Sequence, residues 1–99
     1  MQLLLVTTVD EYRKIILRLF DEVEVSGFSV MEIEGFSGSK FNSATWFPAG
    51  KAGKKSLLLF SFTVEAKIEQ LIRRIEEVNR QKDNYNPIHL AVLPIETFI

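Results

Sequence analysis

The sequence predicts an α+β domain of the ferredoxin-like class, a four-stranded antiparallel sheet with two helices in the order βαββαβ. Three observations predict it: two amphipathic helical stripes, short apolar strand segments around them, and the same strand–helix–strand plan in both halves of the chain. Short, right-handed connections place both helices on one face of the sheet. The other face then stays uncovered and apolar, which favours a closed oligomer.

The first half begins with Leu3–Val6, a continuous apolar run that is typical of a central strand buried on both faces. Thr8 and Glu11 have the spacing of a capping box, which predicts the start of the first helix. Ser26-Gly27 predicts the end of this helix. Its apolar stripe recurs at three- and four-residue steps, at Val9, Tyr12, Ile15, Ile16, Leu19, Phe20 and Val23.

The second predicted strand is Phe28–Phe36. Phe28 and Val30 share one of its faces, and Met31 and Ile33 share the other, because side chains alternate along a strand. Apolar residues on both faces indicate either cover from another subunit or a bulge between Val30 and Met31.

The second half repeats the plan, with a strand predicted at Leu57–Phe62. Thr63 is the predicted N-cap of the second helix, and Glu65 lies in its first turn, where a negative charge is favourable. The turn-forming residues of Asp83–Pro87 precede the last predicted strand, Ile88–Leu93. The second helical stripe consists of Val64, Ile68, Leu71, Ile72, Ile75 and Val78.

Length and composition indicate one soluble domain over residues 1–99 and exclude several classes of protein. The chain has no cysteine, so disulfides and thiolate metal sites are excluded. Its net charge of −1 predicts neither nucleic-acid binding nor attraction to a membrane surface. Leu3–Val6 is too short for a membrane span and lacks the flanks of a signal peptide, so we expect a cytoplasmic protein.

A long basic loop separates the two halves of the chain, and we place this insertion at about residues 37–55. Residues 35–62 hold four lysines and no acid. Gly50–Lys55 fails the P-loop pattern, since no Ser or Thr follows Gly53-Lys54 and a strand rather than a helix comes next. The loop either contacts an anion or a protein partner, or is a solvated connection. Phe41, Trp46 and Phe47 could anchor a partner, but packing on the sheet or on a neighbouring subunit is favoured.

The segment Gly27–Phe36, with the sequence Gly-Phe-Ser-Val-Met-Glu-Ile-Glu-Gly-Phe, resembles the strand before the T-loop of PII signalling proteins. Leu93-Pro94-Ile95-Glu96 is similar to the last-strand ending of that family. The resemblance implies a trimer of ferredoxin-like subunits with effector sites in the clefts between them. It also implies that the loop is a T-loop-like insertion that docks on a protein partner, such as a transporter or an enzyme.

Two departures from the family pattern concern phosphate and metal contacts. Asn86–His89 stands where PII proteins have a Gly-Asp-Gly-Lys turn, so the glycines that let backbone amides approach a phosphate are absent. Ser37–Ser39 stands where the family has Gly-Arg-Gln, and the glutamine that helps to hold magnesium and 2-oxoglutarate is absent. The chain therefore resembles a divergent PII-like branch, with a small anion as effector and an adenine nucleotide as one candidate.

The resemblance and the acid-free loop together predict a regulatory protein that binds its effector between subunits. Catalysis is not expected, because one histidine, no cysteine and no nucleophile–base spacing offer no catalytic group. One alternative is a CutA-like trimer that binds a divalent metal near His89, although a hydrogen-bonded histidine beside a cleft is the simpler interpretation. Another is an interaction module without a small ligand. The predicted effector site comprises Ser29, Gly35, Ser37, Gly38, Ser39, Lys54, Lys55 and His89.

Overall fold

The computed structural model describes residues 1–36, 53–81 and 86–99. Within them, four strands form a single sheet in the order β2-β3-β1-β4, with antiparallel pairing throughout. This confirms the predicted α+β, ferredoxin-like class. The elements in chain order are β1 Gln2–Val9, a 3-10 turn at Asp10–Tyr12, α1 Arg13–Val23, β2 Ser29–Gly35, β3 Lys54–Thr63, α2 Glu65–Gln81 and β4 His89–Pro94.

The core lies between the two helices and one face of the sheet. Leu4 and Val6 of β1 point to this face together with Leu57 and Leu59 of β3, and all four are fully buried. Both predicted helical stripes supply the opposite wall, which confirms that the helices share one side. The buried helical residues are Ile16, Leu19, Phe20, Val23, Ile68, Leu71 and Ile75.

The second face of the sheet carries no helix among the described residues and is mostly apolar. Phe62, Leu93 and Phe98 at one end of it are each more than two-fifths exposed, as is Met31 on β2. Val30 lies on the helix-covered face and Met31 on the uncovered one, in the alternation that the sequence predicted. We call this surface the open face; its residues are Met31, Ile33, Leu58, Phe60, Phe62, Leu3, Leu5, Ala91 and Leu93.

The predicted start of the first helix is wrong. Thr8 belongs to β1 and is buried, so its hydroxyl does not cap a helix; it has no hydrogen-bond partner among the described residues. The 3-10 turn begins after Val9, without a side-chain cap, and α1 follows it at Arg13. β1 continues through Thr8 because β3 keeps pairing with it as far as Val9, and a ladder of hydrogen bonds outweighs a local capping preference.

The predicted end of the first helix is also wrong, by two residues. The chain leaves the helix at Glu24, which adopts the left-handed conformation with φ 62° and ψ 47°. The Glu24 amide donates to the Asp21 carbonyl and the Val25 amide donates to the Phe20 carbonyl, each at 3.0 Å. This is a Schellman cap, and the burial of Val25 against the helix completes it. Ser26-Gly27 therefore belongs to the connection after the cap.

Glu24→Gly is expected to raise the free energy of unfolding by about 1 kcal/mol, because a side chain in the left-handed region is strained and glycine is not. Thermal unfolding measures the gain, which corresponds to a rise in Tm of about 4–8 °C for a domain of this size. Glu24→Gln is the control, because it removes the exposed pairing with Lys67 but keeps the strain. Equal stability of the two variants would contradict the explanation.

In the second half of the chain, the strand β3 begins earlier than predicted and the helix α2 begins later. β3 starts at Lys54, so Lys54 and Lys55 are strand residues rather than part of the predicted insertion. Thr63 ends β3, and the carbonyl of Val64 accepts the first helical hydrogen bond from Ile68, so the predicted N-cap at Thr63 is wrong. Glu65 does lie in the first turn of α2, as predicted. Residues 37–52 and 83–85 of the predicted loop and turn lie outside the described residues.

Neither helix of the described chain combines the length and the apolar character needed to cross a membrane.

Candidate functional site

The register of the sheet brings three of the predicted site residues together. Gly35, the last residue of β2, is directly opposite Lys54, the first residue of β3, and Lys55 follows. These residues lie where the chain leaves the sheet for residues 37–52 and returns from them. We call Gly35, Lys54 and Lys55 the loop base.

Gly53 lies close to the side chains of Glu34 and Phe36 at the loop base. A Cβ atom added there would lie 2.7 Å from the Phe36 ring and would also collide with the Glu34 carboxylate. Both contacts are with the ends of side chains that can rotate, so a larger residue at this position would require Glu34 and Phe36 to shift. The sequence indicated Gly53 only as part of a phosphate-loop pattern, whereas in the structure it lies directly before β3, beside Phe36.

Both lysines of the loop base form ion pairs with the 3-10 turn. Lys54 Nζ lies 3.0 Å from Glu11 Oε2, and Lys55 Nζ lies 3.7 Å from Asp10 Oδ2. The hydrogen bond from Lys54 lowers the pKa of Glu11 below its ordinary value. The pair is therefore intact at neutral pH, and its contribution to stability is lost only as the pH falls through that lowered pKa.

Asp10 and Glu11 are site residues that the sequence analysis missed. Glu11 was interpreted as a capping residue and Asp10 was not singled out. The signal was available in the pairing of β1 with β3, because Val9 lies opposite Ser56. In an antiparallel pair, the residues after Val9 come beside the residues before Ser56, so two acids directly after β1 face two lysines directly before the apolar part of β3.

Ser29 and His89 lie away from the loop base within one chain. Ser29 is at the other end of β2, six residues from Gly35, or about 20 Å along the strand. His89 begins β4, and β2 and β4 are the two opposite edges of the sheet. One chain therefore unites only part of the predicted site. Ser37, Gly38 and Ser39 lie outside the described residues.

His89 lies on the same face of the sheet as the open face residues, directly opposite Thr7. Burial lowers the pKa of His89, so its imidazole is neutral at pH 7 and provides hydrogen bonds rather than charge. Thr7 is buried, and its hydroxyl has no hydrogen-bond partner among the described residues. A hydroxyl in that position can bind a polar atom of a ligand or of another chain.

Asn79 on α2 fixes the start of β4. Its side-chain amide donates to the Ile88 carbonyl at 2.9 Å, and its side-chain oxygen accepts from the Ile88 amide at 2.8 Å. This double hydrogen bond satisfies both polar backbone groups of a buried residue. It holds the residue before His89 at the place where the sequence analysis put the altered phosphate-binding turn.

The pKa of His89 has a measurable consequence for stability. Below the ordinary histidine pKa of about 6.5, the unfolded chain takes up a proton that the folded chain resists, so stability is lost as the pH falls through that window. We expect wild type to lose more Tm than His89→Gln between about pH 7.5 and pH 5.5. Thermal melts across this range test it, and parallel curves for the two proteins would contradict it.

The described residues contain no cluster of three or more histidine, cysteine or carboxylate side chains suited to hold a metal ion. His89 alone supplies too few ligands for a zinc site, which needs about four. A CutA-like metal site would thus require ligands in addition to those of the described residues of one chain.

The sequence matches no protein-family model and no curated protein. Solved structures with the same fold do exist. One is CPII, a nitrogen regulatory PII-like protein from Thiomonas intermedia K12, whose structure was determined with bound ADP, AMP and bicarbonate. It is similar to this chain with a TM-score of 0.64 and 10% identity, over 99% of this chain and 94% of that one.

A second similar structure is a DUF3240 family protein from Shewanella baltica OS155. Its TM-score is also 0.64, with 21% identity over 98% of this chain and 91% of that one. Identities this low establish the fold, and both alignments run across nearly the whole of each chain. The resemblance found in Gly27–Phe36 is thus matched by the structure, and this chain has the fold of the PII-like proteins.

Proposed function

We propose that this protein is a PII-like regulatory protein that binds a small anionic effector at its loop base and signals its presence to a protein partner. The observation that carries the proposal is the loop base itself. Gly35 opposite Lys54, with Lys55 beside it, places two cations at the end of the sheet. The fold around them is that of the Thiomonas protein, whose structure holds ADP, AMP and bicarbonate.

The proposed assembly is a homotrimer in which the open face is covered by neighbouring copies. It is supported by the large exposed apolar side chains of that face, since monomers seldom expose such patches. A neighbouring copy would also explain the placement of Ser29 and His89. They lie far from the loop base of their own chain, and they would complete the site by lining a cleft with the loop base of the next one.

The proposed output is the segment from Ser37 to the loop base, acting as a T-loop-like insertion. Effector binding at Lys54 and Lys55 would change the arrangement of a segment that begins and ends at these residues, and so the surface shown to a transporter or an enzyme. Recovery of partners by full-length protein and by a variant lacking residues 38–53 tests this role. Equal recovery would count against it. The role is regulatory rather than catalytic.

Calorimetry tests the effector proposal, with ATP, ADP, AMP, a cyclic dinucleotide and bicarbonate as ligands. We expect heat from at least one adenine nucleotide. Lys54→Gln is expected to weaken that binding about tenfold, as removal of one charge-assisted hydrogen bond would. Lys14→Gln removes an equal charge from the exposed side of α1 and is expected to leave the affinity unchanged. Absence of heat with every ligand would refute the effector role.

A further inference from the structure

The lysines of the loop base are neutralised by the chain itself. Glu11 lies 3.0 Å from Lys54, and Asp10 lies 3.7 Å from Lys55. The four side chains together carry no net charge. An anion that approaches these lysines therefore meets two carboxylates as well as two cations.

The two acids are held in place by the fold. β1 pairs with β3 up to the contact of Val9 with Ser56, and the 3-10 turn begins at the next residue. The turn is followed by α1, whose Arg13 makes a further pairing to Glu32 on β2 at 3.7 Å. Strand pairing and the turn therefore place the backbone of Asp10 and Glu11 beside Lys54 and Lys55.

Carboxylates at a fixed position oppose an incoming anion in proportion to its charge. The repulsion between two like unit charges about 4 Å apart in water weakens binding about fivefold (about 1 kcal/mol), and salt reduces this effect. An anion with two charges therefore meets about half of the opposition that a triphosphate with about four charges meets. Contacts of a triphosphate with both lysines also require both ion pairs to be given up.

We infer that Asp10 and Glu11 are specificity-determining residues of the effector site, which set it for anions of one or two negative charges, of the nucleoside monophosphate class, over triphosphates. The inference rests on the proposed function, because it concerns the same lysines. It adds two residues that contact the lysines rather than the effector, and it gives the effector a charge class.

The test compares wild type with the double variant Asp10→Asn/Glu11→Gln, by calorimetric titration with AMP and with ATP at low salt. We expect AMP to bind wild type at least as tightly as ATP. In the double variant, affinity is expected to rise about threefold for AMP and about tenfold or more for ATP, and added salt should shrink both gains. Equal gains, no gain, or a wild type that prefers ATP would overturn the inference.

The matched control is Asp21→Asn/Glu24→Gln, which removes the same two charges from the far end of α1. That end lies about 15–20 Å along the helix from the 3-10 turn, and the control is compared at about 0.1 M salt, where the Debye length of about 10 Å is shorter than this distance. The affinities of this control variant for AMP and ATP are expected to differ from those of wild type by less than about twofold. A change as large as that of the Asp10→Asn/Glu11→Gln variant would overturn the inference, because it would show an effect of net charge alone.

A nucleotide-free measurement separates this inference from the proposed function. Inorganic phosphate and pyrophosphate are titrated against the same proteins while the amide NMR signals of Lys54 and Lys55 are followed. If no nucleotide binds any protein, the proposed function fails. The charge selection by Asp10 and Glu11 then still holds for inorganic anions, although not for nucleotides, if pyrophosphate gains more affinity than phosphate in the double variant. It fails if the two gains are equal or if neither anion shifts these signals in any of the proteins.

Discussion

Replacing Phe20 with alanine is expected to lower the free energy of unfolding by about 3–5 kcal/mol, a large part of the total for a domain of this size. Among the described residues, Phe20 is the largest of the fully buried side chains, and it lies in the cluster that joins α1, α2 and the covered face of the sheet. Its removal leaves a cavity that the surrounding strands cannot close. Denaturant unfolding followed by circular dichroism measures the loss.

Two further variants separate the cavity from the aromatic contact. The Phe20 ring meets the Phe28 ring edge-on, with centroids 4.8 Å apart, but Phe28 is more than one-third exposed. Phe28→Ala removes the contact without opening the core and is expected to cost about 0.5–1.5 kcal/mol. Phe20→Leu keeps most of the volume and is expected to lose less than Phe20→Ala. A loss below about 1 kcal/mol for Phe20→Ala would show that this residue does not anchor the core.

The fold could be predicted from the sequence because its main signals are repeated. Each helical stripe is long, each recurs at the spacing of a helix, and the strands between them are strongly apolar. The errors fall at element ends, where short signals compete with tertiary contacts. Thr8 looked like an N-cap, yet it lies within β1, where it pairs with Leu57 of β3. Glu24 gave no signal as a helix end, because glutamate rarely adopts the left-handed conformation.

The candidate site could be predicted only in part, for a different reason. Gly35 and the two lysines were identified from one strand motif and one run of basic residues, and the sheet brings them together. Asp10 and Glu11 lie more than 40 residues away in sequence, so only the register between β1 and β3 relates them to the lysines. Ser29 and His89 are separated by the width of the sheet, and no sequence pattern within one chain indicates which residues of a neighbouring copy would face them.

The open face links the fold to the proposed function, because in the proposed trimer its apolar side chains are covered by another copy of the chain. Its apolar side chains would be a liability on a monomer, and a stable interface covers about 800 Å² of each partner. Phe62 lies opposite Leu3, which in turn lies opposite Leu93, so one row of apolar side chains runs across the sheet. Phe98 extends this row, with its ring centroid 5.4 Å from that of Phe62.

Phe62→Glu is therefore expected to dissociate the proposed trimer while leaving the subunit folded. In the single chain Phe62 is 45% exposed, so its replacement costs the subunit mainly the ring contacts with Phe60 and Phe98, about 0.5–1.5 kcal/mol each. A carboxylate buried between copies without a partner costs several kcal/mol. Light scattering after size exclusion would give three times 11.4 kDa for wild type and 11.4 kDa for the variant at micromolar concentration. If the effector site lies between subunits, the variant also loses nucleotide binding.

Gln70→Glu introduces the same charge on the exposed side of α2, away from the open face, and is expected to keep both the assembly and the binding. Retention of the trimer by Phe62→Glu would place the interface elsewhere. A monomeric wild type would remove the explanation for the exposed apolar row and for the separation of Ser29 and His89 from the loop base. A monomeric variant that still binds nucleotide as tightly as wild type would confine the site to one chain, at Lys54 and Lys55.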